Sequence, residues 1–176
     1  MGGGRSAVTG VDSEKLAARW WKWAFSAPSG RNPVEDTTGE HAHWRQSADV
    51  WFLAGTYGGR VVRRCTVPTD RPLFFPVFNT QRLALGFSTQ PRRVPAAQAE
   101  AHLNGIPLPL HEAASKRFWA FGPRVAWGLW SSLDPLTPGE YVLSIKARAG
   151  DFWVDTTYHL KAVPFDPKAE TASSDA

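Results

Sequence analysis

The sequence predicts one mainly β domain, either an antiparallel sandwich of jelly-roll type or a partly closed barrel, preceded by an amphipathic helix. Two observations predict this class. Short apolar runs are separated by glycine and proline turns along most of the chain, and a helical spacing of apolar residues occurs near the N-terminus. No internal repeat is present, which argues against a propeller or a solenoid.

The helical segment reads SEKLAARWWKWAFS and places Leu16, Trp20 and Trp23 on one face. Asp12 or Ser13 is a suitable N-cap, and the Pro-Ser-Gly sequence that follows the segment is a stop signal.

Residues 49–79 hold three apolar runs, VWFLA, RVVRRCTV and LFFPVFN, with a tight hairpin turn predicted at residues 56–59. A strand with water on one side alternates apolar and polar side chains. The runs over residues 50–54 and 73–78 are apolar throughout, so we expect central strands that are covered on both faces, or strands whose outer face lines a pocket.

Residues 95–130 carry weaker signals of secondary structure. Residues 95–103 begin with proline and are rich in alanine, which predicts a short helical turn. Asn104 and Gly105 are typical of a two-residue hairpin. The runs KRFWAF and RVAWGLW predict two further strands.

The last two strands are predicted from alternation in EYVLSIKARA and FWVDTTYHLKAV. One face of the final strand is apolar. The other face is either a wet outer surface or the lining of a cleft, and it carries Trp153, Asp155, Thr157, His159 and Lys161.

The chain is therefore expected to consist of three parts. Residues 1–11 are glycine-rich and predicted to be flexible, and residues 12–163 form one β-rich domain with its leading helix over 13–27. Residues 164–176 are polar and predicted to be disordered.

Composition excludes several classes of protein. The chain has 176 residues, a net charge of +4 and one cysteine, Cys65, so an internal disulfide or a cysteine-based metal cluster is not expected. The basic residues form no long run, which argues against nucleic-acid binding. No signal peptide or apolar membrane span is recognisable, so we expect a cytoplasmic protein without a membrane partner.

Nine tryptophans and ten phenylalanines are more than a core of this size normally uses. Part of this aromatic surface is therefore expected to contact a ligand, or a second copy in a homodimer. The expected ligand-contacting residues are Trp44, Trp51, Arg63, Trp127 and Trp153.

Acid–base candidates lie in two places. The polar segment RNPVEDTTGEHAHWRQS contains His41 and His43, which share a side on extended backbone, and Asp155 and His159 share a face of the last strand. The two loop histidines could ligate a metal only with a third ligand from elsewhere, so neither a metal nor another cofactor is expected.

The motifs RWWKWAFS, NPVEDTTG, VWFLAG, CTVP, FFPVFN and VDTTYHL resemble those of a group of small, uncharacterised bacterial proteins, many of them secreted. The resemblance covers roughly residues 16–163 and implies one fold without implying an activity. Where those proteins have a cysteine after the TG of the loop, this chain has HAHWRQ. The resemblance implies a loop-to-core disulfide in the relatives that Cys65 cannot form here.

Three functions follow from these observations. The first is a cofactor-independent acid–base enzyme, of cyclase, isomerase or dehydratase type, acting on an apolar metabolite in bacterial specialised metabolism. The second is a carbohydrate-binding or other non-catalytic binding module, and the third is a structural or interaction protein. Standard catalytic motifs are absent from the sequence, so the residues alone do not choose among the three.

Overall fold

The structure is a computed structural model that describes residues 10–95 and 97–167. One helix and ten strands lie in this part of the chain. They are α1 (Gly10–Ser26), β1 (Trp51–Phe52), β2 (Gly59–Pro68), β3 (Leu73–Leu83), β4 (Gln98–Leu103), β5 (Ile106–Pro107), β6 (His111–Ala114), β7 (Phe118–Trp119), β8 (Pro123–Leu133), β9 (Gly139–Ala149) and β10 (Phe152–Val163).

The strands form two five-stranded sheets. Sheet A has the order β1-β3-β8-β6, with β7 also paired to β8, and sheet B has the order β2-β10-β9-β4-β5. Most neighbours are antiparallel, but β1 runs parallel to β3 and β2 runs parallel to β10. The described strands do not close into a barrel, so the sandwich alternative of the predicted fold class is confirmed, with mixed sheets.

Two apolar layers hold the molecule together. Between the sheets, Leu73, Phe75, Leu143, Ile145 and Leu160 are almost fully buried. On the other side of sheet A, α1 covers a second core, whose members include Leu16, Trp20, Trp23, Phe52, Phe74 and Trp130. The predicted amphipathic helix is thus confirmed, and it explains why β3 is apolar on both faces.

The second core accounts for much of the aromatic content. Three of the five buried tryptophans belong to it, namely Trp20, Trp23 and Trp130, and the ring of Trp130 stacks on Phe74 with centroids 5.1 Å apart. The indole of Trp20 donates to the carbonyl of Leu53 at 2.8 Å. Two interiors account for this part of the aromatic content, whereas the rings of Phe87, Trp119 and Phe121 are exposed.

Several local predictions were wrong. The helix begins at Gly10, so neither Asp12 nor Ser13 is its N-cap. The segment 50–54 is buried on both faces as expected, but it contains only a two-residue strand at the edge of sheet A instead of a central strand. Residues 56–59 do not close a hairpin, because the chain there passes from sheet A to sheet B.

The alanine-rich segment was also mispredicted. Residues 98–103 form β4, which pairs antiparallel with β9, so sheet pairing overrides the helix propensity of alanine. The Asn104–Gly105 hairpin is confirmed between β4 and β5, with φ of 49° and 80° at the two positions. The KRFWAF strand is reduced to Phe118–Trp119.

The predicted end segments are only partly described. Residues 1–9 and 168–176, which carry most of the flexible and disordered predictions, lie outside the described residues. Phe165 lies inside them, and the guanidinium of Arg71 stacks over its ring at 4.6 Å. This contact lies beyond residue 163, the predicted end of the domain.

Arg63 is 1% exposed on the inner face of β2 and forms no ion pair with a carboxylate of the described residues. Its guanidinium donates, at 2.7 to 3.1 Å, to the main-chain oxygens of Val34, Asp36, Ala54 and Gly55 and to the hydroxyl of Tyr158. The Tyr158 hydroxyl in turn donates to the carbonyl of Ala54 at 2.7 Å. One side chain thus fixes a loop, the sheet-to-sheet crossing and β10.

Replacing Arg63 should therefore be far more damaging than replacing an exposed arginine of the same strand. Arg63→Met should lower the free energy of unfolding by at least about 3 kcal/mol, because each buried acceptor left unpaired costs about 1–3 kcal/mol. Arg60→Met, which loses one exposed ion pair, should cost less than about 1 kcal/mol. Urea unfolding of both variants checks this, and equal losses would contradict the structural role of Arg63.

Candidate functional site

An apolar cleft opens beside the middle of β3. After Leu53 the chain leaves sheet A and crosses to β2, so among the described strands only β8 pairs with β3 beyond Phe74. The ladder with β8 shifts register between Pro76 and Phe78, and such bulges occur preferentially beside functional sites. The uncovered edge leaves a cleft of about 280 Å³.

The walls come from five parts of the chain. They are helix α1, the crossing over residues 53–58, β3, β9 and β10. One loop residue, Val34, completes the lining. The lining residues are Trp20, Trp21, Val34, Gly55, Thr56, Tyr57, Pro76, Val77, Phe78, Asn79, Thr80, Gln81, Ile145, Phe152, Val154 and Thr156.

Three lining residues carry a buried polar atom with no hydrogen-bond partner among the described residues. These atoms are Trp21 Nε1, Asn79 Nδ2 and Thr156 Oγ1. Buried polar groups in folded proteins are nearly always paired, so an unpaired group calls for water or a ligand to bond it. The residues lining this cleft thus carry three of the seven such atoms among the described residues, the other four being on Ser13, Trp51, His111 and Trp130.

The described lining contains no Asp, Glu, His, Lys, Arg or Cys. Its one titratable group is the Tyr57 hydroxyl, whose pKa is raised by burial and by the nearby charge of Glu35, against a smaller opposing effect of Asn32. The cleft is therefore neutral at physiological pH.

The predicted loop histidines lie elsewhere. His43 is exposed and His41 is half-buried, and the loop that carries them lies along β2, where Arg64 N donates to Thr38 O at 2.8 Å. Neither histidine lines the cleft. No group of three or more His, Cys, Asp or Glu in the described ranges could hold a metal ion.

Asp36 organises this loop. Its carboxylate accepts from the N–H groups of Thr38, Gly39 and His41 at 2.8 to 3.0 Å and from the hydroxyl of Thr38 at 2.8 Å. Gly39 has φ of 99°, and a Cβ there would lie 2.2 Å from the carbonyl oxygen of Arg64. The loop is thus a closely fitted cap on the sheet edge.

The other acid–base pair, Asp155 and His159, lies on the outer face of sheet B. Asp155 bonds Arg60 at 3.0 Å and stands opposite Lys146, which stands opposite Glu100 on the next strand. Alternating charges across four strands neutralise each other. This exposed face also carries two shallow grooves, one lined by Trp153 and Asp155 and the other by His159 and Lys161.

The five predicted ligand-contacting residues are also outside the cleft lining. Trp44 bonds Ser26 at the end of α1 at 3.0 Å, and Trp51 lies in the core between the sheets. Trp127 donates to Glu112 at 2.8 Å and packs behind Phe78, while Trp153 is exposed on sheet B. Arg63 contacts the cleft only through the carbonyls of Val34 and Gly55, which it holds in place.

Cys65 lies on β2, packs against the core between the sheets and is half-buried. Burial raises the pKa of its thiol to about 12, the nearby charge of Arg63 opposing the shift only in part. The thiol therefore stays protonated at neutral pH and is a poor nucleophile or metal ligand.

Comparison with known proteins assigns this chain to no family. No protein-family model matches the chain, and a search of curated proteins finds no significant match. No described helix has the length and apolar character needed to cross a membrane.

One signal for the cleft was present in the sequence. Thr156 is a polar residue on the inward face of β10, between Val154 and Tyr158. Asn79 likewise ends the apolar run of β3. A polar side chain at an inward position is the pattern expected where a sheet borders a site, whereas Trp21 could be placed only from the helix packing.

Asp36 should make stability depend on pH. Burial acts to raise the pKa of its carboxyl, but the hydrogen bonds from His41, Thr38 and Gly39 outweigh this and leave it below its ordinary value of 3.8. The unfolded chain then binds the proton more readily, so the stabilisation is present above pH 3.8 and is lost as the pH falls through the folded-state pKa.

The free energy of unfolding of the wild type should therefore drop below about pH 4, and the drop should be shallower in Asp36→Asn. Urea unfolding between pH 2.5 and 7, in about half-unit steps, measures this. Asp134→Asn, at an exposed aspartate without an ion pair in the described part of the chain, is the matched control. If the free energy of unfolding of the wild type and of Asp36→Asn changes with pH in the same way, Asp36 does not cause the loss of stability at low pH.

Proposed function

We propose that this protein binds one small, neutral, largely apolar molecule in the cleft beside β3. The observation that carries the proposal is the set of three buried, unpaired polar atoms on Trp21, Asn79 and Thr156, in a lining that contains no charged residue. Two of them are pure donors and the third is a hydroxyl, so the ligand presents a hydrogen-bond acceptor such as a carbonyl oxygen.

The cleft volume limits the size of the ligand. An apolar cavity of about 150 Å³ holds one benzene ring, and typical drug-sized pockets begin near 300 Å³. A cleft of about 280 Å³ therefore suits a molecule of one or two rings. Tyr57 and Phe152, both exposed, stand among the lining residues and supply aromatic surface against which a ring can pack.

Because the described lining has no charged side chain, the ligand is expected to be neutral. Burying an ionised group without a counter-charge is strongly unfavourable, so a carboxylate or an amine would be rejected. A neutral ketone, lactone or amide would be accepted, since its oxygen can bond the unpaired donors.

Catalysis remains a separate proposal. An acid–base enzyme would need a proton-transferring group within reach of the ligand, and Tyr57 is the one described lining residue that could serve. The four residues predicted as catalytic lie on the β2-edge loop and on the outer face of sheet B. These positions favour binding over acid–base turnover, and the single cysteine supports a reducing, cytoplasmic setting.

Carbohydrate binding has its own supporting observation. The exposed ring of Trp153 borders a shallow groove on the outer face of sheet B, with the polar side chains of Arg60, Glu100, Lys146 and Asp155 around it. A sugar would stack on this indole rather than enter the cleft. A glycan array that gives no hit with the wild-type protein would remove this alternative.

The cleft proposal is tested by titrating the protein with coumarin, a neutral bicyclic lactone, and observing the Trp21 indole and Asn79 side-chain N–H signals by NMR. Both signals should shift with coumarin concentration. Thr156→Val keeps the side-chain shape but removes the unpaired hydroxyl, so stability should be equal or higher and coumarin affinity about threefold to thirtyfold lower.

Thr157→Val, one residue away on the outer face, is the matched control and should bind like the wild type. In Gly55→Phe the new ring would enter the cleft, because a Cβ at this position meets only Pro76, at 3.6 Å, and binding should be abolished. Unchanged binding by Gly55→Phe, or the failure of a panel of neutral bicyclic carbonyl compounds to shift either signal, would contradict the proposal.

A further inference from the structure

A second feature lies at one end of sheet A, where large apolar side chains are at least 41% exposed. We call these residues the apolar tip: Leu83, Leu85, Phe87, Trp119 and Phe121. Monomeric proteins scatter single exposed apolar residues over the surface, but a cluster of them marks an interaction site.

Strand pairing brings the members of the tip together. Leu83 ends β3 opposite Arg124, and Trp119 of β7 stands opposite Pro123, so both flank the start of β8. Ala84 N donates to the carbonyl of Pro123 at 2.8 Å. The loops after β3 and before β8 therefore leave the sandwich at the same end.

Phe121 is held at this end in a conformation that is unfavourable for it. Its φ is 49°, in the left-handed region that favours glycine or asparagine, and its side chain is 82% exposed. Its ring makes an edge contact with that of Phe25, at a centroid distance of 6.3 Å. Folding alone would be served better by Asn or Gly here, which indicates that the exposed ring has another use.

The two chain segments that carry the tip are rich in basic residues. Residues 82–93 and 116–124 contain six of the 20 basic residues and none of the 16 acidic ones, so the rest of the chain has a net charge of −2. Arg93 pairs with Glu112 at 2.9 Å. Arg92, Lys116 and Arg117 form no ion pair with a carboxylate of the described residues.

We infer that the apolar tip docks this protein on the surface of an anionic phospholipid bilayer. Tryptophan and phenylalanine favour the boundary between headgroups and acyl chains, and nearby basic side chains are attracted to anionic headgroups. Docking of this kind needs no membrane-spanning segment, so it replaces the expectation of no membrane partner. It is independent of the proposed cleft ligand.

The test is co-flotation of the full chain with vesicles, at low and at high salt. The protein should float with vesicles of mixed phosphatidylcholine and phosphatidylserine. The fraction of protein that floats should be smaller at high salt, and smaller with vesicles of pure phosphatidylcholine. Trp119→Ala should weaken binding about tenfold or more. Trp153→Ala removes an exposed tryptophan from the outer face of sheet B and should leave binding unchanged.

A second variant separates docking from folding. In Phe121→Asn the new residue suits the left-handed conformation, so the melting temperature should be equal or higher while vesicle binding falls. If Trp119→Ala and Trp153→Ala weaken vesicle binding equally, the assignment of the tip as the docking surface is overturned. Absence of wild-type floating would also overturn it, and a dimer that Trp119→Ala dissociates would then assign the tip to self-association.

Discussion

The buried guanidinium of Arg63 is the interaction on which the rest of the structure depends. A cation removed from water needs compensation, and here main-chain carbonyl dipoles and the Tyr158 hydroxyl provide it in place of a carboxylate. The carbonyls belong to the loop before β1 and to the crossing between the sheets, two segments without regular hydrogen bonding of their own. Burial raises the pKa of Tyr158 to about 12, so this partner remains neutral.

The same network shapes the cleft. Val34 and Gly55, whose carbonyls bond Arg63, both line it, and Tyr158 is two residues from Thr156 on β10. The chain can leave sheet A early because Arg63 satisfies the carbonyls of the crossing, and this early exit leaves the edge of β3 uncovered. Strand β3 also connects the two proposed surfaces: Gln81 lines the cleft and Leu83 begins the tip, about 7 Å further along the strand.

Much of the fold could be predicted from local patterns. The spacing of Leu16, Trp20 and Trp23 placed the helix, and period-two alternation placed β9 and β10. Pairing partners could not be predicted, because parallel pairs such as β2 with β10 join segments far apart in the chain. The cleft was not predicted for a related reason. Titratable side chains such as His41 and Asp155 are conspicuous in a sequence, whereas an unpaired hydroxyl such as that of Thr156 becomes apparent only when its neighbours are known.

The central claim is that the cleft is formed before a ligand arrives and that the polar atoms of Trp21, Asn79 and Thr156 await a partner from outside the chain. A high-resolution crystal structure of the natively purified protein tests it most directly. The account predicts electron density in the cleft, from ordered water or a small molecule, within hydrogen-bond distance of these atoms. Density showing the cleft filled by the protein's own side chains, with the three atoms bonded to one another or to the main chain, would contradict it.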